Sequence, residues 1–338
     1  MKQYGVLIVG TGWVSKEHIR AFEMNPYSRV VAIVSRSEEK GRAKAAESGI
    51  PDAKIYTDYE EALQDKDVDI VCICTPNHMH AEQTIKAAEA HKHILIEKPI
   101  ALNWEDAKRM QAAVEKAGVK TLVGYVLHWN PLFLNAKEMQ EEYIGKLYYV
   151  ETDYFHRVTG SYPCYEWTCR KEIGGSSLLA GGCHAVDAMR FFMQEEVEEV
   201  TAYSCGCRTD LEFDGTLCAL LKFKNGAVGK IGSSYDTVSP YIFNVHLFGD
   251  KGSLLNHKLY SPEKIHGQKD YMELPVETPD SGDVAHHPFP QEINHFMDCI
   301  VNDRETSISL KDAMKTQEIV FAADLSAAEG RPVRLPLP

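Results

Sequence analysis

Five short apolar runs punctuate the first third of the chain, at 4–10, 29–35, 68–74, 92–98 and 120–125. They are rich in Val and Ile and apolar almost throughout, instead of alternating with polar residues. Strands buried on both faces of a parallel sheet have this pattern. Stretches with helical spacing separate them, at 15–24, 38–48, 59–64, 81–90 and 104–116. Strand and helix in strict alternation predict βαβ units and a doubly wound α/β sheet of the Rossmann type.

The pattern changes after residue 125. A helix is predicted over 132–142 and an alternating strand over 146–155, and a glycine-rich turn then opens a helix over about 177–192. Strands follow in succession at 197–207, 216–224, 227–235, 241–249 and 252–256. Lys224-Asn225-Gly226 is a strong hairpin signal between two of them. Helices at 291–301 and 311–329 close the chain, and the Pro-, Asp-, Ser- and Gly-rich stretch 273–287 reads as a long loop. The expected architecture is therefore a nucleotide-binding domain over 1–125 and an α+β domain over 126–338 with a large, mainly antiparallel sheet. Helices cover one face of that sheet. The other face calls for a second subunit, so a homodimer or homotetramer is expected.

Composition narrows the function classes. The net charge of −13 argues against binding nucleic acid or an anionic membrane, which needs a basic surface. It leaves room for a small anionic ligand held at a helix N-terminus. No apolar run reaches the roughly 18–20 residues of a membrane span, and the first residues lack the pattern of a signal peptide. The nine cysteines are scattered, and they read as reduced thiols of a cytoplasmic protein. The histidines and cysteines show no zinc-type spacing, so no metal is expected.

The first strand runs into Gly10-Thr11-Gly12-Trp13-Val14-Ser15 and then a helix. This fits the dinucleotide fingerprint, in which the first glycine makes the turn, the second lets backbone approach the pyrophosphate and a small third residue lets helix and strand pack. Ser15 departs from the usual Gly or Ala. At the end of the second strand stands Ser35-Arg36, where enzymes using NAD usually place an acid on the ribose 2′-hydroxyl. Without that carboxylate, and with a guanidinium suited to phosphate, the expected cofactor is NADP(H), with NAD(H) as the alternative.

Further on come Thr75-Pro76-Asn77-His78-Met79-His80, Glu97-Lys98-Pro99 and the helix "GGSSLLAGGCHAVDAMRFF" at 174–192. With the glycine loop, these segments resemble the glucose–fructose oxidoreductase/inositol dehydrogenase (Gfo/Idh/MocA) family over essentially the whole chain. The resemblance implies that Lys98 reaches into a cleft beside the nicotinamide, ahead of a peptide bond that is often cis. It implies that Thr75, Pro76, Asn77, His80 and Glu97 belong to the cofactor pocket with Lys98, and that Trp167 and Arg170 touch the nicotinamide. It also points to His184 on the central helix. The family's acid four residues before this histidine is replaced by Ala180, which can neither relay a proton nor orient a hydroxyl. The acid–base role therefore falls to His184, whose titration near neutral pH suits it. Asp187, on the same helix face, either orients His184 or caps local structure. His128, Asn130, His156, Tyr162 and Lys171 are substrate candidates with His184, and His286 and His287 are weaker ones.

The function expected is an NADP(H)-dependent oxidoreductase acting on a sugar, cyclitol or related polyol or carbonyl compound. Two rivals stay open: a redox-neutral lyase, epimerase or glycosidase that reduces and reoxidises its cofactor within one cycle, and a non-catalytic dinucleotide-binding sensor.

Overall fold

In the computed structural model, residues 2–279 and 286–338 are described. Residues 280–285, inside the expected 273–287 loop, lie outside them. The chain divides into two compact units.

The first unit begins with β1 (Tyr4–Val9), α1 (Ser15–Met24), β2 (Ser28–Val34), α2 (Glu38–Glu47), β3 (Lys54–Tyr56), α3 (Tyr59–Leu63), β4 (Ile70–Ile73), α4 (His80–Glu89), β5 (His93–Ile96), α5 (Trp104–Ala117) and β6 (Thr121–Val123). Six strands pair in parallel in the order β3-β2-β1-β4-β5-β6. Val6, Leu7 and Ile8 of β1 and Ile70, Val71 and Cys72 of β4 are fully buried, which is why these strands read as unbroken apolar runs. Caps set the helix limits: Asn103 Oδ1 accepts from Asp106 N at the start of α5, and Gly118 ends it at φ 66°. The three-residue β3 escapes a periodicity reading because it is too short to show one.

The second unit contains α6 (Pro131–Met139), β7 (Leu147–Phe155), α7 (Tyr165–Thr168), α9 (Cys183–Met193), β8 (Val197–Cys205), β9 (Thr216–Phe223), β10 (Val228–Ser234), β11 (Ile242–Gly249), β12 (Ser253–Leu255), β13 (Lys258–Tyr260) and β14 (Met272–Glu273); the short α8 spans Lys171–Gly174. With β15 (Val333–Arg334) they give a nine-stranded sheet in the order β14-β13-β12-β11-β7-β10-β9-β8-β15. It is antiparallel except where β10 runs parallel to β7. The Asn-Gly turn joins β9 to β10 as expected: Gly226 sits at φ 88° and Asn225 Oδ1 accepts from Ala227 N. The predicted helix 132–142 is shorter, because α6 gives way to a π turn at Gln140–Ile144 that Gly145 closes onto Gln140 O.

The compact units interleave along the chain instead of meeting at one boundary. The first unit comprises Met1–Tyr125, Glu172–Gly174 and Pro288–Met314, and the second Val126–Lys171, Gly175–His287 and Lys315–Pro338. The helix α10 (Phe289–Val301) lies in the first unit. Its apolar stripe of Phe289, Ile293, Phe296, Met297 and Ile300 is buried, and Asn294 accepts a hydrogen bond from Asn25 just past α1. A return of the chain to an earlier helix is a tertiary event that no local pattern announces. The helix α11 (Leu310–Glu329) follows. Among the described residues, no helix is long and apolar enough to cross a membrane.

Candidate active site

In the first unit, the loop after β1 is shaped by glycine. Gly10 holds φ 105°, and a Cβ there would stand 2.7 Å from the Cys74 carbonyl oxygen. Only glycine combines that conformation with that approach. Gly12 is exposed, and a Cβ on it would meet nothing nearer than 3.8 Å. Its glycine identity is therefore not demanded by the protein, which fits a site where a ligand comes close. The buried Ser15 donates its hydroxyl to Gly12 O at 2.7 Å, so serine closes the loop onto the start of α1 in place of the usual Gly or Ala. Thr11, Trp13 and Val14 are half-buried along the same loop. The arrangement suits a pyrophosphate at a helix N-terminus.

At the end of β2, Ser35 is buried and its Oγ has no hydrogen-bond partner, while Arg36 is exposed. The N-cap of α2 is Ser37, which accepts from Lys40 N. After β4, Thr75 donates to Gln83 Oε1 at 2.6 Å, Pro76 precedes a short turn at Asn77–Met79, and Asn77 donates to Gly174 O.

Two expected cofactor contacts turn inward instead. His80 is fully buried, with Nδ1 2.7 Å from Pro99 O and Nε2 2.8 Å from Thr75 O. Burial pushes this imidazole down while the two carbonyls, which each call for an N–H, pull the other way, and the neutral ring can donate to only one of them. The ring joins the loop after β4 to the segment after Lys98 and offers no nitrogen to a ligand. Glu97 likewise faces the interior, with Oε1 2.7 Å from His18 Nε2. Burial opposes its charge, but the hydrogen bond from His18 and the nearby Lys98 hold the carboxyl below its usual range. Gly124 leaves room for it, since a Cβ there would lie 3.2 Å from Glu97 Oε1. These contacts frame Lys98, which is half-buried and is followed by a cis bond to Pro99.

In the second unit, His184 lies in the first turn of α9, 8% exposed, with its ring stacked on Tyr154 at 6.4 Å. The helix enters through a π turn at Leu178–Gly182. A Cβ at Gly181 would meet the Tyr154 ring at 2.6 Å and Tyr235 Oη at 2.8 Å, and one at Gly182 would meet Ser233 Oγ at 2.5 Å. These glycines let the backbone before His184 press onto β7 and β10. Around His184 stands an aromatic group that sequence reasoning missed in part. Tyr154 Oη lies 3.2 Å from His156 Nδ1, and His156 packs edge-on against Tyr162 and Tyr241, each at 5.4 Å. Burial pushes the Tyr154 and Tyr235 phenols far up, so both remain neutral donors. The signal for Tyr154 was the alternation of β7, in which Val150, Thr152 and Tyr154 share the buried face.

Three other expected site residues make contacts within the fold. Asp187 engages two other groups: its Oδ2 lies 2.6 Å from His128 Nε2, and its Oδ1 accepts from Thr316 Oγ1 at 3.0 Å. His128 is thereby the partner of Asp187 and packs on Phe191 at 4.5 Å. Asn130 is buried and caps α6, accepting from Leu132 N just ahead of Pro131. Trp167 is half-buried, and Arg170 and Lys171 are exposed, around α7 and the start of α8; His286 is exposed as well.

Known proteins place this geometry. A family model described as "Oxidoreductase family, NAD-binding Rossmann fold" matches residues 4–125. Its companion, "Oxidoreductase family, C-terminal alpha/beta domain", matches residues 137–335. The chain is 27% identical to the myo-inositol 2-dehydrogenase of Thermotoga maritima over 97% of each protein. It is 30% identical to the 1,5-anhydro-D-fructose reductase of Ensifer adhaerens over 78% of each. Among solved structures, a levoglucosan dehydrogenase in complex with NADH superposes over the full length of both chains, with a TM-score of 0.87 at 23% identity.

Proposed function

Because the chain belongs to the Gfo/Idh/MocA oxidoreductase family, we propose that it interconverts an alcohol and a carbonyl on a sugar, cyclitol or related polyol, with NADP(H) preferred over NAD(H). The nicotinamide, when bound, supplies or takes the hydride. His184 takes or returns the hydroxyl proton, and Lys98 stabilises negative charge on the same oxygen. Thr75, Pro76 and Asn77 line the nucleotide with Trp167 and Arg170, and His156, Tyr162 and Lys171 contact substrate. The observation that carries this reading is the loop at Gly10 and Gly12, where side chains are excluded or unneeded, beside a lysine framed by two buried residues. The names of the myo-inositol dehydrogenase, the 1,5-anhydro-D-fructose reductase and the levoglucosan dehydrogenase support the substrate class.

The coenzyme choice rests on Ser35 and Arg36. NADPH is expected to bind more tightly than NADH, and Arg36→Ala is expected to narrow the gap about tenfold, a loss of ~1.4 kcal/mol. Titration by nucleotide fluorescence checks this, and tighter binding of NADH by the unaltered chain overturns it. Ala180 favours one second reading, a redox-neutral conversion with retained cofactor. Product formed without net change in reduced nucleotide would select it, and stoichiometric consumption of NADPH would reject it. The nine thiols suit a reducing compartment such as the cytoplasm. The open face of the large sheet exposes Tyr203, Leu220 and Val228, which supports a homodimer or homotetramer covering it; sedimentation as a monomer would count against that.

A further inference from the structure

The first unit contains a group of metal-ligating side chains that the proposed reaction does not use. Cys72 on β4 and Cys74 just beyond it are two residues apart, so their side chains leave the strand on one face. Their Sγ atoms are 3.6 Å apart. A ring nitrogen of His18, on α1, lies within 4.8 Å of both sulfurs. His18 and Cys72 are fully buried and Cys74 nearly so. His18 engages Glu97 through Nε2 and leaves Nδ1 without a hydrogen-bond partner. Glu292 on α10 is also fully buried, and neither of its carboxylate oxygens has a partner. Its charge, like that of Glu97, bears on both thiols. A buried carboxyl with both oxygens unmet is costly and asks for an explanation.

We propose that Cys72, Cys74 and His18 Nδ1, the clustered group, bind one thiophilic divalent cation of the zinc class, and that the buried Glu292 carboxyl, which stands outside that cluster, swings in as the fourth ligand. Tetrahedral zinc with sulfur bonds of about 2.3 Å holds two thiolates about 3.8 Å apart, and the sulfurs here already stand near that separation. Glu97 on the far nitrogen of His18 reproduces the carboxylate–histidine–metal arrangement that fixes ring orientation and ligand basicity. The site leaves no open position for substrate, so its role is structural. It ties the end of β4 to α1 and α10, directly behind the Cys74 carbonyl against which Gly10 turns. Nothing in it depends on the dehydrogenase reading.

The test uses the full, untagged chain, stripped with a chelator under reducing conditions and titrated with Co²⁺, then Zn²⁺. The expected result is one equivalent of Co²⁺ per chain, with visible d–d bands and a near-ultraviolet thiolate-to-cobalt charge-transfer band. Zn²⁺ should abolish both bands and raise Tm by about 5 °C or more. Cys72→Ala/Cys74→Ala, which keeps small apolar side chains in the core, should lose the bands and the Tm rise while still binding nucleotide. Glu292→Gln should weaken Co²⁺ by about 10-fold or more and alter the d–d bands. An unaltered chain that shows no charge-transfer band at stoichiometric Co²⁺ overturns the proposal, whatever the variants do. The same band in the double variant overturns it too.

Discussion

Lys98 and His184 are held by opposite means. Around Lys98 the first unit uses directed polar contacts: His80 spans two carbonyls, Glu97 anchors to His18, and Gly124 yields space to the carboxylate. Around His184 the second unit uses shape, with Gly181 and Gly182 pressed onto Tyr154, Tyr235 and Ser233, and the nearest helix acid, Asp187, committed to His128 and Thr316. Polar clamps fix a direction and tolerate little change of chemistry. Packing fixes a position and tolerates little change of volume. A lysine meant to point at one atom suits the first, and an imidazole that exchanges a proton while staying in place suits the second.

The largest expected effect that separates the two regions is at His184, the proposed proton-transferring group. His184→Ala should lower turnover by about 10²–10⁴-fold, the usual contribution of acid–base catalysis, with nucleotide affinity unchanged; steady-state kinetics and a nucleotide titration check both halves. Next comes the loop. Gly10→Ala forces a side chain into φ 105° and into the Cys74 carbonyl, which should cost about 2–4 kcal/mol locally. The NADPH dissociation constant should then rise about 30-fold or more. A variant binding as tightly as the original chain would show that the loop does not bear on nucleotide.

The smallest effect concerns stability in the second unit. Burial raises Asp324 to about 6, against the hydrogen bond it accepts from Ser176. The folded state therefore holds this proton more tightly than the unfolded state does. The stabilisation is complete below the ordinary Asp range and is lost as pH rises from about 4 through about 6, amounting to at most ~3 kcal/mol. Asp324→Asn should flatten that limb in urea unfolding followed across pH, and an unchanged slope would contradict the assignment.

How far the sequence revealed all this depends on the range of the forces involved. The parallel sheet was legible because its strands are buried on both faces, and Gly10 was legible because a strand-to-helix turn is local. The place of α10 in the first unit was not, because its apolar stripe says only that one face is covered. The roles of Glu97 and His80 were misread for a related reason: a residue beside a functional lysine looks like a ligand contact until its partners, His18 and the Pro99 carbonyl, are in view. Asp187 shows the limit of helical spacing, which put it on a shared face with His184 but could not reveal His128, drawn from 59 positions earlier. The short strands at Lys54–Tyr56 and Val333–Arg334 exist through pairing with longer neighbours. The metal-ligand group of His18, Cys72, Cys74 and Glu292 is likewise a product of folding, with no motif spacing to announce it.

The most direct test of the central claim is turnover by Lys98→Met, measured with NADPH or NADP⁺ on a polyol or carbonyl substrate identified with the unaltered chain. The account expects a fall of about 10²–10⁴-fold with the nucleotide dissociation constant kept within about a factor of two, because Lys98 serves the reacting oxygen. Turnover equal to that of the unaltered chain would contradict it.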